Sequence, residues 1–387
     1  MANSFDALYP ENWKDIIQDY LNKMLVGMDI SNVKCEAYLK DGDQVNFPYV
    51  NDVRVQSYTP GTDLTIDDYT ATQNSLIVNQ SKAATVRIDP QEKKQAKANY
   101  GMELARQSAY QVANNMDQGI FSEMSTGAGN TISAGTLSLS NIYSYLAQAK
   151  AQLTRNNATD DKLFAVLCPE AMSLLEQSFV ANGFNMADSV LQNGKVGQAA
   201  GFNLYVSNNL PTTQTLSVAT NPTAGDTLTV AGVTFTFVAN GTAAAAGDIS
   251  IGGNAAATQA IIKNAINGAG TPGASTYIDV STENRRNLQN AQVASATFSG
   301  NASVVTAYGR IAGSETFTDA TDGWNTEVTQ ILTGRMGALS MAVQMKPELY
   351  IRPEPKQIGE NYITHTLWGV KLFVRDQKRV VKVTHNL

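Results

Sequence analysis

From Asn12 to Met28 apolar residues recur at three and four, with Trp13, Ile16, Ile17, Tyr20, Leu21, Met24 and Leu25 on one side. That spacing predicts an amphipathic helix. The period then changes to two. Val45, Phe47, Tyr49, Val53 and Val55 alternate with polar residues, the pattern of a strand with one apolar face. Pro60-Gly61 marks a turn, and Leu76-Ile77-Val78 with Thr85-Val86-Arg87-Ile88 forms a second extended run. Two strands of up to about a dozen residues, at about 3.3 Å each, give a ribbon roughly 40 Å long. A ribbon of that length overhangs a compact domain, and a lone hairpin is barely stable in water, so it requires a partner surface.

A helix start follows. Asp89 suits an N-cap, Pro90 the first helical position, and Glu92 the return arm of a capping box. Tyr100, Leu104, Val112, Met116 and Ile120 then form an apolar stripe flanked by Ala105, Ala109 and Ala113. The pattern runs to the glycines of Thr126-Gly127-Ala128-Gly129, with Gly101 and Gly119 inside it. Roughly 34 residues at 1.5 Å each predict a rod of about 50 Å. A Gly/Ser/Thr-rich stretch runs from Ser125 to Ser140, and its Thr126-Gly127-Ala128-Gly129-Asn130 reads as a flexible linker. Beyond it come a helix from Asn141 to Leu153, a buried strand from Leu163 to Leu167, a helix from Pro169 to Phe179 and a strand from Gly201 to Ser207.

At Pro211 the composition shifts. From Thr212 to Gly323 charge falls and Ala, Gly and Thr dominate. Thr227 to Val230 and Val233 to Val238 flank Ala231-Gly232 as a hairpin. Asp248 to Ile251 reads as a strand, Asn254 caps a helix closed by Asn267-Gly268, and Tyr277 to Val280 and Ala291 to Phe298 read as strands. Because the earlier style resumes after Trp324, this segment is expected to be an inserted module with its own core. Strands over 338–345, 362–374 and 380–384 finish the chain. The fold class is α+β.

Composition narrows the function. Charged residues make up 16% of the 387, and the formal net charge is −6, against about 25% charged in an average soluble domain. An acidic balance excludes a protein that coats nucleic acid by bulk charge, and an apolar share of 43% excludes an acidic disordered tail. The start carries Asp6, Glu11, Lys14, Asp15 and Asp19 without an apolar core, unlike a secretory signal. No run approaches the roughly 18 apolar residues of a membrane span. The expectation is a soluble chain made in a cytoplasm.

Catalytic chemistry is hard to place. Cys35 and Cys168 sit in apolar or alternating contexts and read as small buried thiols. His365 lies on an alternating strand and His385 two residues from the last position, with no nucleophile elbow around any Ser. These four offer no zinc-ligand cluster. Thr126-Gly127-Ala128-Gly129-Asn130 follows a helix and lacks a following Lys-Ser/Thr, so it fails the phosphate-loop pattern. Ile251-Gly252-Gly253-Asn254 precedes a helix whose start could hold an anion, but reads as a turn and cap. Asp67-Asp68 and Asp160-Asp161 read as solvated turns rather than calcium or glycosidase sites. Lys93-Lys94 and Lys97 read as a solvated helix face, with contact to nucleic acid or an acidic neighbour as the other option. No catalytic, cofactor-binding or metal residue is assigned, and no cofactor is expected.

The order of segments describes an assembly subunit better than a catalyst, and it resembles the major capsid proteins of tailed bacteriophages, with the Hong Kong 97 fold. Gly42-Asp43-Gln44-Val45-Asn46-Phe47-Pro48 through Ile88 looks like that family's extended loop. The helix from Pro90 to about Met124, with Arg106 and Asp117, looks like its spine helix. Val196-Gly197-Gln198-Ala199-Ala200-Gly201-Phe202 through Pro211 looks like an axial-domain strand and the start of its loop. Ala338-Leu339-Ser340-Met341-Ala342-Val343-Gln344 and Leu367-Trp368-Gly369-Val370-Lys371-Leu372 are similar to the closing strands. Gly225-Asp226-Thr227-Leu228-Thr229-Val230 with Gly232-Val233-Thr234-Phe235-Thr236-Phe237 is similar to accessory modules of phage structural proteins.

The resemblance implies an N-terminal arm over 1–40, an extended β-hairpin loop over 41–89, a spine helix of the peripheral domain over 90–127 and an axial domain over 128–211. It further implies an inserted accessory domain over 212–323 and closing strands over 324–387. The implied function is a coat protein that self-assembles, as hexamers and pentamers, into an icosahedral shell around double-stranded DNA, in the virion and assembled in the host cytoplasm. The shell would enclose DNA without sequence-specific binding, contact no membrane, and meet scaffolding, portal and decoration proteins as the partner classes open to it. No Lys–Asn crosslinking pair falls on a matching motif. An encapsulin-type compartment shell or another phage structural protein, of tail or decoration type, stands as the alternative.

Overall fold

The computed structural model describes residues 26–39, 42–50, 53–66, 71–89, 100–158, 162–181, 197–297, 301–309, 317–319, 322–353 and 359–386. In chain order the first elements are a short helix α1 (Val26–Ile30), a 3-10 turn (Lys34–Tyr38), strands β1 (Gln44–Val50), β2 (Ala71–Ile77) and β3 (Gln80–Ile88), and the long helix α2 (Tyr100–Gly127). Next come β4 (Asn130–Thr136), α3 (Ile142–Arg155), β5 (Leu163–Leu167), α4 (Pro169–Ala181), β6 (Gln198–Ala199), β7 (Phe202–Val206) and β8 (Pro211–Ser217). The low-charge segment holds β9 (Thr227–Val230), β10 (Val233–Val238), β11 (Asp248–Ser250), α5 (Ala255–Asn267), α6 (Thr282–Asn290), β12 (Ala294–Thr297), β13 (Ala302–Tyr308) and the beginning of β14 (Gly323–Trp324). The last elements are β15 (Val328–Arg335), β16 (Leu339–Pro353), β17 (Glu360–Leu372), α7 (Val374–Gln377) and β18 (Val380–Asn386).

The chain forms two compact units, residues 1–113 with 336–377, and 114–335 with 378–387. In the first, β1 and β2 pair antiparallel from Gln44↔Ile77 to Val50↔Ala71. Seven residues per strand make this ribbon about 23 Å long, roughly half the length expected from the alternation. The second extended run is shared between two sheets. Val78, 7% exposed, breaks it: β2 stays with β1, while β3 pairs with β17 and β17 with β16. The ribbon's root is fixed by Leu76 and Val78 packed with Cys35, Leu39 and Ala342, and by Phe47 set edge-on to Phe373 at 5.3 Å. Of the helix expected over Asn12–Met28 only 26–28 fall among the described residues, within α1, and the capping residues Pro90 and Glu92 lie outside them.

The second unit is built on a ten-stranded sheet, in the order β12-β13-β8-β15-β5-β7-β6, with β18 pairing β15 and β4 pairing β18. All five residues of β5 (LFAVL) are buried, as a central strand covered on both faces requires. Helix α3 seals its apolar stripe Ile142, Leu146, Ala149 and Leu153 at a spacing of three and four. Asn130–Thr136, in a Gly/Ser/Thr-rich stretch where no element is expected from the sequence, forms the strand β4, parallel to β18. Its Ser, Thr and Gly content hides it from any hydrophobic period; its partner comes from the other end of the chain.

The low-charge segment has a core of its own, centred on Leu228, Phe235, Phe237, Ile249, Ile262 and Tyr277, to which Leu216 of β8 also belongs. Ala231 and Gly232 both have positive φ, 48° and 76°, the type I′ geometry that joins β9 to β10. Asn254 accepts from the Ala257 amide and caps α5, and Gly268, at φ 61°, ends it in the left-handed conformation. Tyr277–Val280, expected as a strand, makes one bridge at Tyr277 to Ile249. Helix α6, with Leu288 its one buried residue, gave no apolar stripe to read.

Candidate functional site

Between β1 and β2 the chain leaves the first unit's sheets. Residues 53–66 have no strand or helix, and their Val53, Val55, Tyr58, Leu64 and Ile66 are 72%, 95%, 63%, 55% and 90% exposed. The loop is closed locally: Gln56 Nε2 donates to the Thr65 carbonyl at 2.6 Å, and Thr62 donates through N and Oγ1 to the Thr59 carbonyl around the Pro60-Gly61 turn. Single exposed apolar residues are ordinary, whereas five within fourteen residues mark an interaction surface. The anchored root and the uncovered tip together make this the strongest candidate for a functional surface. Sequence periodicity had placed Val53 and Val55 on a strand; the alternation was real, but the ladder stops at Val50.

Residues nominated for chemistry do not converge. Both cysteines are free and buried. Burial pushes the Cys168 thiol up to about 11, with the Glu170 carboxylate adding to the rise, and burial also raises Cys35. Neither is a thiolate nucleophile at neutral pH. His365 is in the first unit and His385 in the second. His385 is 1% exposed and neither ring nitrogen has a hydrogen-bond partner; burial holds its pKa down to about 4. Among the described residues no three His, Cys, Asp or Glu side chains group to hold a metal ion. Gly252-Gly253-Asn254 is a cap: the Gly252 amide donates to Thr258 Oγ1 at 2.8 Å, so it is turned inward rather than toward a ligand. Asp67-Asp68, Asp160-Asp161, Lys93, Lys94 and Lys97 lie outside the described residues.

Two polar arrangements escaped the sequence. Ser81 Oγ and His365 Nε2 lie 2.9 Å apart beside a cleft of about 310 Å³ lined by Met345, Tyr350, Arg352, Ile363 and His365. The cleft lies on the outward face of the β16-β17-β3 sheet, where His365 and Ile363 alternate with buried Thr364 and Thr366. A Ser–His contact alone does not make a nucleophile; backbone donors for a developing oxyanion are also needed, and the surrounding strand amides are engaged in the ladder. In the second unit Cys168, Glu170, Ser207, Thr212, Glu327 and Thr329 line a cavity of about 10 Å³, the size of one water. The pairing of residues 80–88 with 360–368, and the meeting of 168 with 327, are long-range, so periodicity could not show either. No helix among the described residues is long and apolar enough to cross a membrane.

No family model matches the sequence, and no curated protein matches it. Solved structures do. The chain is similar to a structure of Mycobacterium phage Che8 with a TM-score of 0.57 at 13% identity, over 93% of this chain and 90% of that one. The capsid structure of the Cyanophage P-SCSP1u gives 0.53 at 11% identity, over 93% and 88%. A structure of Mycobacterium phage Ogopogo gives 0.50 at 9%, over 94% and 92%. At such identities the likeness is one of fold. The fold is that of the Hong Kong 97-like phage capsids, α+β as the residue pattern indicated.

Proposed function

We propose that this chain is the major capsid protein of a tailed bacteriophage, self-assembling into an icosahedral shell around a double-stranded DNA genome. The observation that carries the proposal is the shared fold over nine-tenths of the chain with structures that include a phage capsid. The uncovered apolar loop 53–66 supports it, since a shell subunit keeps such surface for a neighbouring copy. In this reading 41–89 is the extended loop, 90–127 the spine helix, 128–211 and 324–387 the body of the subunit, and 212–323 an inserted accessory domain. The role is structural rather than catalytic.

The mechanism is geometric. Each copy makes several modest interfaces, and once two have formed the rest close at high effective concentration. The loop 53–66 lies over a neighbour, covering Val55 and Ile66 and hiding the open edges of the ribbon. DNA is enclosed by the shell rather than gripped, in keeping with the net charge of −6. Electron microscopy of the purified protein tests this. Closed shells tens of nanometres across are expected; rings, tubes or monomers at every concentration overturn it. A neighbouring host gene for an encapsulated enzyme would point instead to a compartment shell.

A further inference from the structure

The second half of α2 carries two different stripes. Met116, Ile120, Phe121 and Met124 are fully buried, while Gln118 and Ser122, four residues apart on another face, are polar. Gln118 is 2% exposed, and its Nε2 donates to the carbonyl of Asn290 at 3.0 Å. Asn290 is the last residue of α6, so the side chain satisfies a carbonyl that the helix leaves without an internal donor. One residue on, the Ala291 carbonyl accepts the backbone amide of Tyr308 at 3.0 Å, and the Tyr308 hydroxyl lies beside Ser122. Two hydrogen bonds thus run from α2 to the end of α6 and on to the end of β13, whose Tyr308 returns to the side of α2 at Ser122.

Among the described residues, the apolar core of the 212–323 module contains none from α2. The hydrogen bond from Gln118 to Asn290 thus lies outside that core. Hydrogen bonds of this kind exchange for water at small net cost, whereas a packed core does not. We infer that the α6–β13 edge of the module is latched to α2 through Gln118, with Tyr308 set beside Ser122, so that a shift of the helix loosens this edge while the module core stays folded, and a change at the edge is felt in the helix. The latch belongs to the folded subunit and holds whether or not the shell reading above is right.

Hydrogen exchange on the full chain tests it in both directions, since coupling must be reciprocal. In Gln118→Leu, exchange of the Ala291, Val293 and Tyr308 amides should speed about tenfold, the effect of losing one net hydrogen bond. The Phe235 and Phe237 amides of the module core should keep their wild-type rates. In Tyr308→Phe, which removes only a hydroxyl, exchange of the α2 amides around 118–122 should rise likewise. Equal acceleration at Phe235 and Phe237 overturns the latch, because module and contact would then open as one core. Unchanged rates at 291–308 and 118–122 in the two variants overturn it as well. Ser122→Ala serves as the milder variant should Gln118→Leu fail to fold, with the same outcomes deciding.

Discussion

A Cβ at Gly369 would meet the carbonyl oxygen of Ile77 and, at 2.9 Å, the Cα of Val78, because the backbone passes from β2 to β3 directly over β17. Gly369→Ala should therefore destabilise the first unit by about 1–3 kcal/mol, the usual cost of overpacking, visible as a lower urea midpoint. His385 makes a second prediction. Its folded pKa of about 4 lies below the ordinary 6.5 because burial disfavours the charged ring, with the Asn386 backbone and then Glu170 opposing in part. The unfolded chain binds the proton more readily, so this contribution is complete above about pH 6.5 and is lost as pH falls toward 4. The loss amounts to about 3 kcal/mol at one pKa unit per 1.36 kcal/mol. Urea midpoints from pH 7 to pH 4 should fall steeply in the wild type and less steeply in His385→Gln; equal slopes would remove His385 as the cause. Neither role was legible from the residues. Gly369 and His365 sit in the same alternating run, and only the crossing backbone tells one position from its neighbours. Local signals were legible: Asn254, Gly268 and Ala231-Gly232 do what their types require within a few bonds of themselves.

Among the elements, α5 depends on one side chain from outside it. Arg285 of α6 donates to the Ala265 and Ile266 carbonyls, both at 2.8 Å, and pairs with Asp279. It thus adds donors to those of the Gly268 cap, and a positive charge where the last turn has no basic residue of its own. Arg285→Ala should lower the stability of the module by about 1–3 kcal/mol, in line with charge-assisted bonds that are largely buried. Circular-dichroism melts would read it; an unchanged melt would show water taking over the carbonyls at no loss. Elements with their own period, such as α3, β5, α4 and the β9–β10 hairpin, were readable to within a residue or two. Those that borrow stability were not. Helix α6 buries Leu288 alone, and β13 (ASVVTAY) is held in the sheet between β8 and β12.

For the whole molecule, exposed large apolar side chains are distributed unevenly. Five lie on the loop 53–66, and among the described residues none lies between 212 and 323. The low charge of that module comes with Ala, Gly, Thr and Asn at its surface, not with an apolar face. Val55→Asp and Ile66→Asp should leave the stability of the free subunit within about 0.5 kcal/mol, as exposed substitutions do, and should abolish shells in electron micrographs. Shells that form normally would remove the loop from the assembly surface. The bonding changes along the edges of the low-charge segment. Thr213 of β8 pairs with Val328, and Gln214 Nε2 donates to the Asn325 carbonyl at 2.9 Å, whereas the Asp322 carboxylate ties off the chain at Ala219 and Thr220. Replacing 219–322 by an Asn-Gly turn should therefore keep cooperative unfolding of the remainder, and removing 212–323 should lower the urea midpoint further. The strand β4 carries one more consequence. Its pairing is with β18, some 252 residues later at Thr384 and Ile132. At about 5–20 residues per second a ribosome takes roughly 10–50 s to make that stretch. Throughout that time β4 is a nascent edge without its mate, so chaperone capture and pausing between these segments should govern the yield of native chains.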